Sequence, residues 1–300
     1  MILVVGATGV LGGMITRRLL ERGEDVRILV RHNSPSEELA RQGMATSAQA
    51  LIEAGTQPVY GDLKDRVSLD PACAGIETVI TTANSAMRGG EDTVDSVDRA
   101  GNRNLIDAAQ AAGVRQFIFT SVLGADVNNP FPFIQAKAET EAYLRQSGMP
   151  YTILAANFFM ESWVGMVVGM PLGAGQPVTL VGEGRRMHSF VSVVDVAAFA
   201  TAAVGHPATV NQHLAIGGPE ALSWCDVVDT FERVMGREVP LRFISPGEPV
   251  PGAPEIVTHM LPALETFDSP IPMTETARTF GVRQTTLEEF VHRQIAGGAA

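Results

Sequence analysis

The segment Gly6-Ala7-Thr8-Gly9-Val10-Leu11-Gly12 follows an apolar run, Ile2-Leu3-Val4-Val5, and leads into an amphipathic stretch from Met14 to Arg22. That setting gives the glycine triplet a chemical meaning. Gly6 permits a tight strand-to-helix turn, Gly9 lets the backbone approach a diphosphate, and Gly12 lets the helix press on the sheet. The amides around Thr8, Val10 and Leu11 are then left to face phosphate. A second strand pattern, Asp25 to Val30, comes at βαβ spacing, so the segment reads as a dinucleotide loop and not an ordinary Gly-rich turn.

Other residues suggest which dinucleotide. Sites for NAD place Asp or Glu at the end of the second strand, where a carboxylate accepts from the ribose 2′-OH. Here that position is Arg31, flanked by His32 and Asn33. A guanidinium there attracts a 2′-phosphate, so NADP(H) is favoured over NAD(H), with a solvated strand-end arginine as the plainer reading. Arg17 and Arg27 are further candidates for the positive charge. Gly61-Asp62-Leu63, after the third strand, has the form of an adenine contact or of an Asx turn. Thr82-Ala83-Asn84-Ser85, after the fourth, offers small side chains where a ribose must pass.

The elements that must position these residues alternate. Strands are expected at 2–5, 26–30, 57–60, 78–82, 116–120 and 151–154, with helices at 11–21, 37–54, 92–113 and 135–147 between them. This is an α/β fold with a doubly wound parallel sheet. Past Asn157 the rhythm becomes mixed, with strands at 178–181, 189–191, 213–216 and 239–244. Helices start at Asp195 and Ser223, the second with Asp226 completing a capping box. The expectation is a dinucleotide-binding portion over 1–156 and a smaller, interleaved, mixed α/β substrate lobe over 157–300. Gly182-Glu183-Gly184 reads as a hairpin turn, 246–254 as a surface loop, and Gly297-Gly298-Ala299-Ala300 as a frayed end.

Composition sets outer bounds. Three hundred residues, 45% of them apolar, suffice for a large core. A formal charge of −11 without a basic run argues against a nucleic-acid partner. Two cysteines, Cys73 and Cys225, without CxxC spacing fit a reducing cytoplasm and no metal centre. His188 and His213 lack metal-ligand spacing and read as structural. Val164 to Val168 is too short to span a bilayer, so no membrane segment is expected. Lys64 and Lys137 are the only lysines.

Taken together, the glycine loop, Leu29-Val30-Arg31, Gly61-Asp62-Leu63, Phe117-Ile118-Phe119-Thr120-Ser121, Lys137-Ala138-Glu139-Thr140-Glu141 and Asn157-Phe158-Phe159-Met160-Glu161 resemble the atypical short-chain dehydrogenase/reductases. The likeness is strongest to their NmrA-like branch. Phe190 to Ala197 and Ile216-Gly217-Gly218-Pro219-Glu220 extend it through the second half. The resemblance implies a Rossmann fold and either an NADPH-dependent reductase of quinones, azo compounds or polycyclic aromatics, or a regulator that binds dinucleotide without turnover. It also places Asn157 on the cofactor.

The chain departs from that pattern in two places. Typical short-chain enzymes carry a tyrosine four residues before the lysine, to protonate a developing alkoxide. Phe133 stands there instead, and Tyr143, six residues after Lys137, lies roughly 240° around the helix. Ala155-Ala156 replaces a common Arg-Pro. Reducing an isolated ketone needs a placed proton donor. A quinone yields a phenolate whose conjugate acid has a pKa of about 10, a far milder demand. Quinoid or conjugated aromatic acceptors are therefore expected, with Lys137 holding the nicotinamide ribose or countering negative charge and Ser121 or Asn84 orienting the acceptor. Phe133, Phe158, Met160 and Trp163 would form an apolar wall. Reaction of the reduced product with oxygen, as in polyketide tailoring, is a further expectation. Subunit number is open between a monomer and a small homo-oligomer.

Overall fold

The structure, a computed structural model, describes residues 1–32, 36–41, 45–86, 89–253 and 255–297. Asn33, Pro254 and the terminal Gly298, Ala299 and Ala300 lie outside them. The chain divides into two compact units, one of residues 1–155 and 196–215, the other of residues 156–195 and 216–300.

The first unit is a sheet with helices on both faces. Its elements run β1 (Ile2–Val5), α1 (Val10–Glu21), β2 (Val26–Val30), α2 (Ser36–Arg41), α3 (Ala48–Glu53), β3 (Gln57–Tyr60), α4 (Leu69–Cys73) and β4 (Thr78–Thr81). A π-helical stretch, Val94–Gly101, then passes into α5 (Asn102–Ala111), followed by β5 (Gln116–Val122), α6 (Pro132–Gln146) and β6 (Tyr151–Ala156). The strand order is β3-β2-β1-β4-β5-β6-β8, where β8 is Gln212–Ile216. Pairing is parallel, with Leu3 opposite both Arg27 and Val79. All four residues of β1 are buried, as a strand covered on both faces requires. Leu3, Val5, Leu105, Ile106, Phe117 and Phe119 share one core between sheet and helices. Each such fully buried side chain contributes roughly 1.5–3 kcal/mol. The order reverses between β1 and β4, which opens a crevice at their carboxyl ends.

In the second unit, β7 (Val178–Val181) pairs in parallel with β9 (Leu241–Ile244). Phe190, Trp224, Phe231, Leu261 and Phe290 centre its core. Its helix α9 (Trp224–Met235) starts on the expected box: Ser223 Oγ accepts from the Asp226 amide and Asp226 accepts from the Ser223 amide. Gly236, left-handed at φ 66°, ends it.

Several expected elements change. The single helix over 37–54 is two, α2 and α3, the latter capped by Ser47, with 42–44 outside the described residues. The helix over 92–113 begins at Val94, where Thr93 and Ser96 form its capping box, and its first turns are π-helical. No strand forms at 189–191, where Val191 makes only an isolated bridge to Phe159 and the preceding His188 bridges Leu222 and Ser269. Gly182-Glu183-Gly184 turns the chain but cannot close a hairpin, since β7 pairs in parallel with β9. The Glu265 carboxylate instead accepts from the Glu183 and Gly184 amides at 3.2 Å each. A π-helix over Met160–Gly169 and helices α10 (Glu255–Leu264), α11 (Thr274–Phe280) and α12 (Leu287–Gly297) were not anticipated. Between these come α7 (Met170–Gly173) and α8 (Val193–Ala202), the latter starting two residues before Asp195.

Candidate functional site

A crevice of the first unit gathers Gly6, Thr8, Arg31, Asp62, Leu63, Ala83 and Asn84, contributed by the loops after β1, β2, β3 and β4. Local sterics shape the first of these loops. Gly6 sits at φ 86°, and a Cβ there would lie 2.7 Å from Thr82 Oγ1. A Cβ on Gly12 would come within 2.1 Å of the Gly6 carbonyl oxygen, so the helix can start this close only without one. Gly9 meets only that same oxygen, at 3.3 Å, and its bareness leaves the loop open. The start of α1, at Gly9, Val10 and Leu11, carries no side-chain cap and no acid in its first turn. An uncapped helix start behind a cradle without side chains fits a diphosphate.

At the far end of the crevice the charges are already paired. Arg31 donates to Asp92 Oδ2 at 2.6 Å, and Lys64 donates to Asp92 Oδ1 at 2.9 Å. Burial raises the pKa of Asp92, but the hydrogen bonds from Lys64 and Arg31 outweigh it and hold the carboxyl below its ordinary range. Asp62 makes the Asx turn, accepting from the Lys64 amide at 2.8 Å, while still facing the crevice. Arg27 is engaged elsewhere, donating to the carbonyls of Ala72 and Ala74. Arg17 is exposed on α1. Sequence reasoning missed Asp92 and Lys64. The rarity of lysine was the only signal for the second, and nothing local marked the first.

A second constellation lies at the end of β5. Lys137 is 4% exposed, and its Nζ donates to the Thr120 carbonyl at 3.1 Å. The ammonium stands 4.8 Å from the Phe119 ring centre and 5.4 Å from that of Phe133. Burial lowers its pKa, partly offset by the charges of Asp98 and Glu141. Lys137 is therefore an interior cation of its unit and not an exposed helix lysine. Ser121 donates to Glu141 Oε1 at 2.6 Å, and Glu141 also takes Arg145 at 2.9 Å and His213 at 3.4 Å. With its proton so committed, Ser121 has lone pairs left to offer. Asn84 braces its own loop, its Nδ2 donating to the Thr82 carbonyl and its Oδ1 accepting from the Ala86 amide. Thr82 Oγ1 donates to the Gly6 carbonyl at 3.4 Å, and Ala83 is buried against the crevice. Asp98, also absent from the sequence reading, accepts from the Ser85 amide and hydroxyl.

The remaining expected residues belong to the second unit. Phe158 packs edge-on against Trp163 at 5.5 Å and against His188 at the same distance. Met160 is buried in that unit's core, while Phe158 and Trp163 keep some exposed surface. Asn157 donates to the Ser269 carbonyl at 3.0 Å and to its hydroxyl at 3.1 Å. Among the described residues no cluster of metal-ligating side chains occurs, and no helix is long and apolar enough to cross a membrane.

A seven-stranded doubly wound sheet with a glycine loop at its switch point defines a Rossmann-type α/β protein. The sequence model of the NmrA-like family matches residues 1–291, and the chain belongs to that family. It is 32% identical over 248 residues to the photosystem II assembly factor Ycf39 of Cyanophora paradoxa, covering 81% of this chain and 73% of that one. It is 30% identical over 245 residues to the NAD(P)H azoreductase of Xenophilus azovorans, covering 82% and 77%. The fold is similar to that of an NADPH-dependent quinone oxidoreductase of Escherichia coli complexed with NADPH. The TM-score is 0.79 at 24% identity, with 98% of this chain and all of that one covered.

Proposed function

We propose that this protein is an NAD(P)H-dependent reductase of quinones or polycyclic aromatics, with NADP(H) preferred. The observation that carries the reading is the buried Lys137, a cation fixed by the Thr120 carbonyl between two aromatic rings in the same unit as a phosphate-fitting loop. The dinucleotide, held by Gly6, Thr8, Gly9, Val10, Leu11 and Gly12 with Arg31 on its 2′-phosphate, supplies hydride. Asp62, Leu63, Thr82 and Ala83 flank the adenosine and ribose, and Asn157 is a further candidate for the cofactor. In a site of low polarity, the Lys137 ammonium counters the negative charge that develops on an acceptor oxygen. Ser121, whose hydroxyl donates to the Glu141 carboxylate, accepts from a donor on the ligand, and Asn84 keeps its loop in register. Phe133 in the first unit is a candidate apolar surface for a flat acceptor, and Phe158 and Trp163 offer another within the second unit, with Met160 in the core they pack against. The azoreductase relative supports the reductase class.

A second reading, a dinucleotide-binding regulator or assembly factor without turnover, is favoured by Phe133 at the proton-donor position and by the photosystem II assembly relative. NADPH oxidation against a panel of quinones and azo dyes, with and without oxygen, separates the two. Turnover with at least one acceptor supports the reductase. Tight dinucleotide binding with no turnover supports the regulator. The expected compartment is the cytoplasm, with a small aromatic substrate and without nucleic acid or membrane.

A further inference from the structure

Asp92 stands between the two cations at the adenosine end of the crevice in an arrangement that resembles an occupied anion site. Arg31 follows β2, Lys64 follows β3, and the carboxylate comes from the segment after β4, so three separate loops meet at one acid. One carboxylate oxygen accepts from Arg31 at 2.6 Å and the other from Lys64 at 2.9 Å, and the Asp92 side chain is only 10% exposed. Lys64 is held in place as well. Its amide closes the Asp62 turn, and the Asp62 carbonyl accepts from Asp65 at 2.9 Å. Glu91, 4.0 Å from the same ammonium, is almost wholly exposed and adds little. An arginine fork and a lysine converging on two oxygens of one anion is also how a phosphoryl group is gripped.

We infer that Asp92 is an internal stand-in for the 2′-phosphate. Arg31 and Lys64 together form the phosphate site, and Asp92 competes for them, so that it sets the discrimination between NADP(H) and NAD(H). This rests on the dinucleotide reading above. A phosphate carries about −1.5 to −2 charges near neutral pH against one on the carboxylate, so it can take over the cations, but in doing so it must meet or displace a like charge. NAD(H), with a free 2′-hydroxyl, pays no such penalty and leaves the Asp92 pairs intact.

The test is calorimetric titration of the full chain with NADPH and with NADH, for wild type, Asp92→Asn and Lys64→Gln. Asp92→Asn is expected to tighten NADPH about tenfold, the scale for removing a like charge from a partly buried site, with NADH changed less than about twofold. Lys64→Gln is expected to weaken NADPH by about tenfold and leave NADH nearly unchanged, and it does not depend on the Asp92 variant folding. An unchanged NADH-to-NADPH ratio in both variants overturns the inference, as does selective loss of NADH binding in Asp92→Asn, which would make Asp92 a ribose acceptor. Failure of wild type to bind either dinucleotide would instead overturn the dinucleotide reading, and this inference with it.

Discussion

Lys137 and Glu141 stand four residues apart on α6, the spacing of a helical ion pair, yet each bonds elsewhere: Lys137 to the Thr120 carbonyl, Glu141 to Ser121, Arg145 and His213. The pair of adjacent β5 residues, Thr120 and Ser121, thus divides the two charges between them. The ammonium is left facing rings and a carbonyl, where an added negative charge is most strongly felt.

Lys137→Met should reduce turnover by about tenfold or more, the effect of losing one charge-stabilising donor. Because burial lowers its pKa below 10.5, the protonated form is lost earlier on raising pH. The wild-type rate should therefore fall along an alkaline limb centred below that value. A pH–rate profile of both proteins checks this, since the limb should vanish in the variant.

Gly12→Ala places a methyl 2.1 Å from the Gly6 carbonyl oxygen, so loop and helix must separate. A loss of about 3 kcal/mol in unfolding free energy is expected, at the upper end of overpacking costs. Dinucleotide binding should be lost with it. Gly9→Ala, which meets that oxygen only at 3.3 Å, should keep most of the stability and lose the binding. Urea unfolding and calorimetry on both variants distinguish the two roles.

Glu141 gives a pH signature to folding. Burial raises its pKa, but the hydrogen bonds from His213, Ser121 and Arg145 win, so the folded value lies below the ordinary 4.5. A depressed carboxyl stabilises above its unfolded pKa, and the contribution disappears as pH falls through the folded value. Wild type should therefore exceed Glu141→Gln in stability at pH 7, with the gap closing below about pH 4.5. Denaturant midpoints of the two proteins between pH 7 and pH 3 measure it.

Ser223→Ala removes the acceptor of the Asp226 amide at the start of α9. A loss of about 1 kcal/mol is expected, with Ser223→Thr recovering most of it, since a threonine hydroxyl also caps and can still donate to the Asp226 carboxylate as the Ser223 hydroxyl does at 2.6 Å. Chemical denaturation monitored by Trp224, the first residue of α9 and fully packed, reports this change.

The parts legible in the sequence are those written in short spans. The glycine loop, β1 to β6 and the Ser223 box each depend on neighbours within a few residues, and each appears as expected. Arg31 was visible for the same reason, but its partner is 61 residues away, and no local pattern announces that Asp92 will reach it. Lys137 was visible as a residue, but its burial depends on Phe119 and Phe133 closing over it, which no local pattern announces. Two of the late helices were missed for local reasons. Helix α10 carries Pro262 inside it, and α11 spans only seven residues with none buried.

The placement of β8 governs how this molecule can be dissected. The outermost rung beside β6 is made by Gln212–Ile216, more than fifty residues further along the chain, after which the polypeptide departs again. A shortened gene product stopping near residue 156 would have every residue of the glycine loop and Lys137 with its ring and carbonyl partners, but not the His213 that pairs with Glu141. It would also present β6 as a raw, apolar border ready to recruit strands from its neighbours, and would collect in inclusion bodies. A fragment meant for ligand studies therefore has to carry 196–215 along, grafted behind β6 through a short linker.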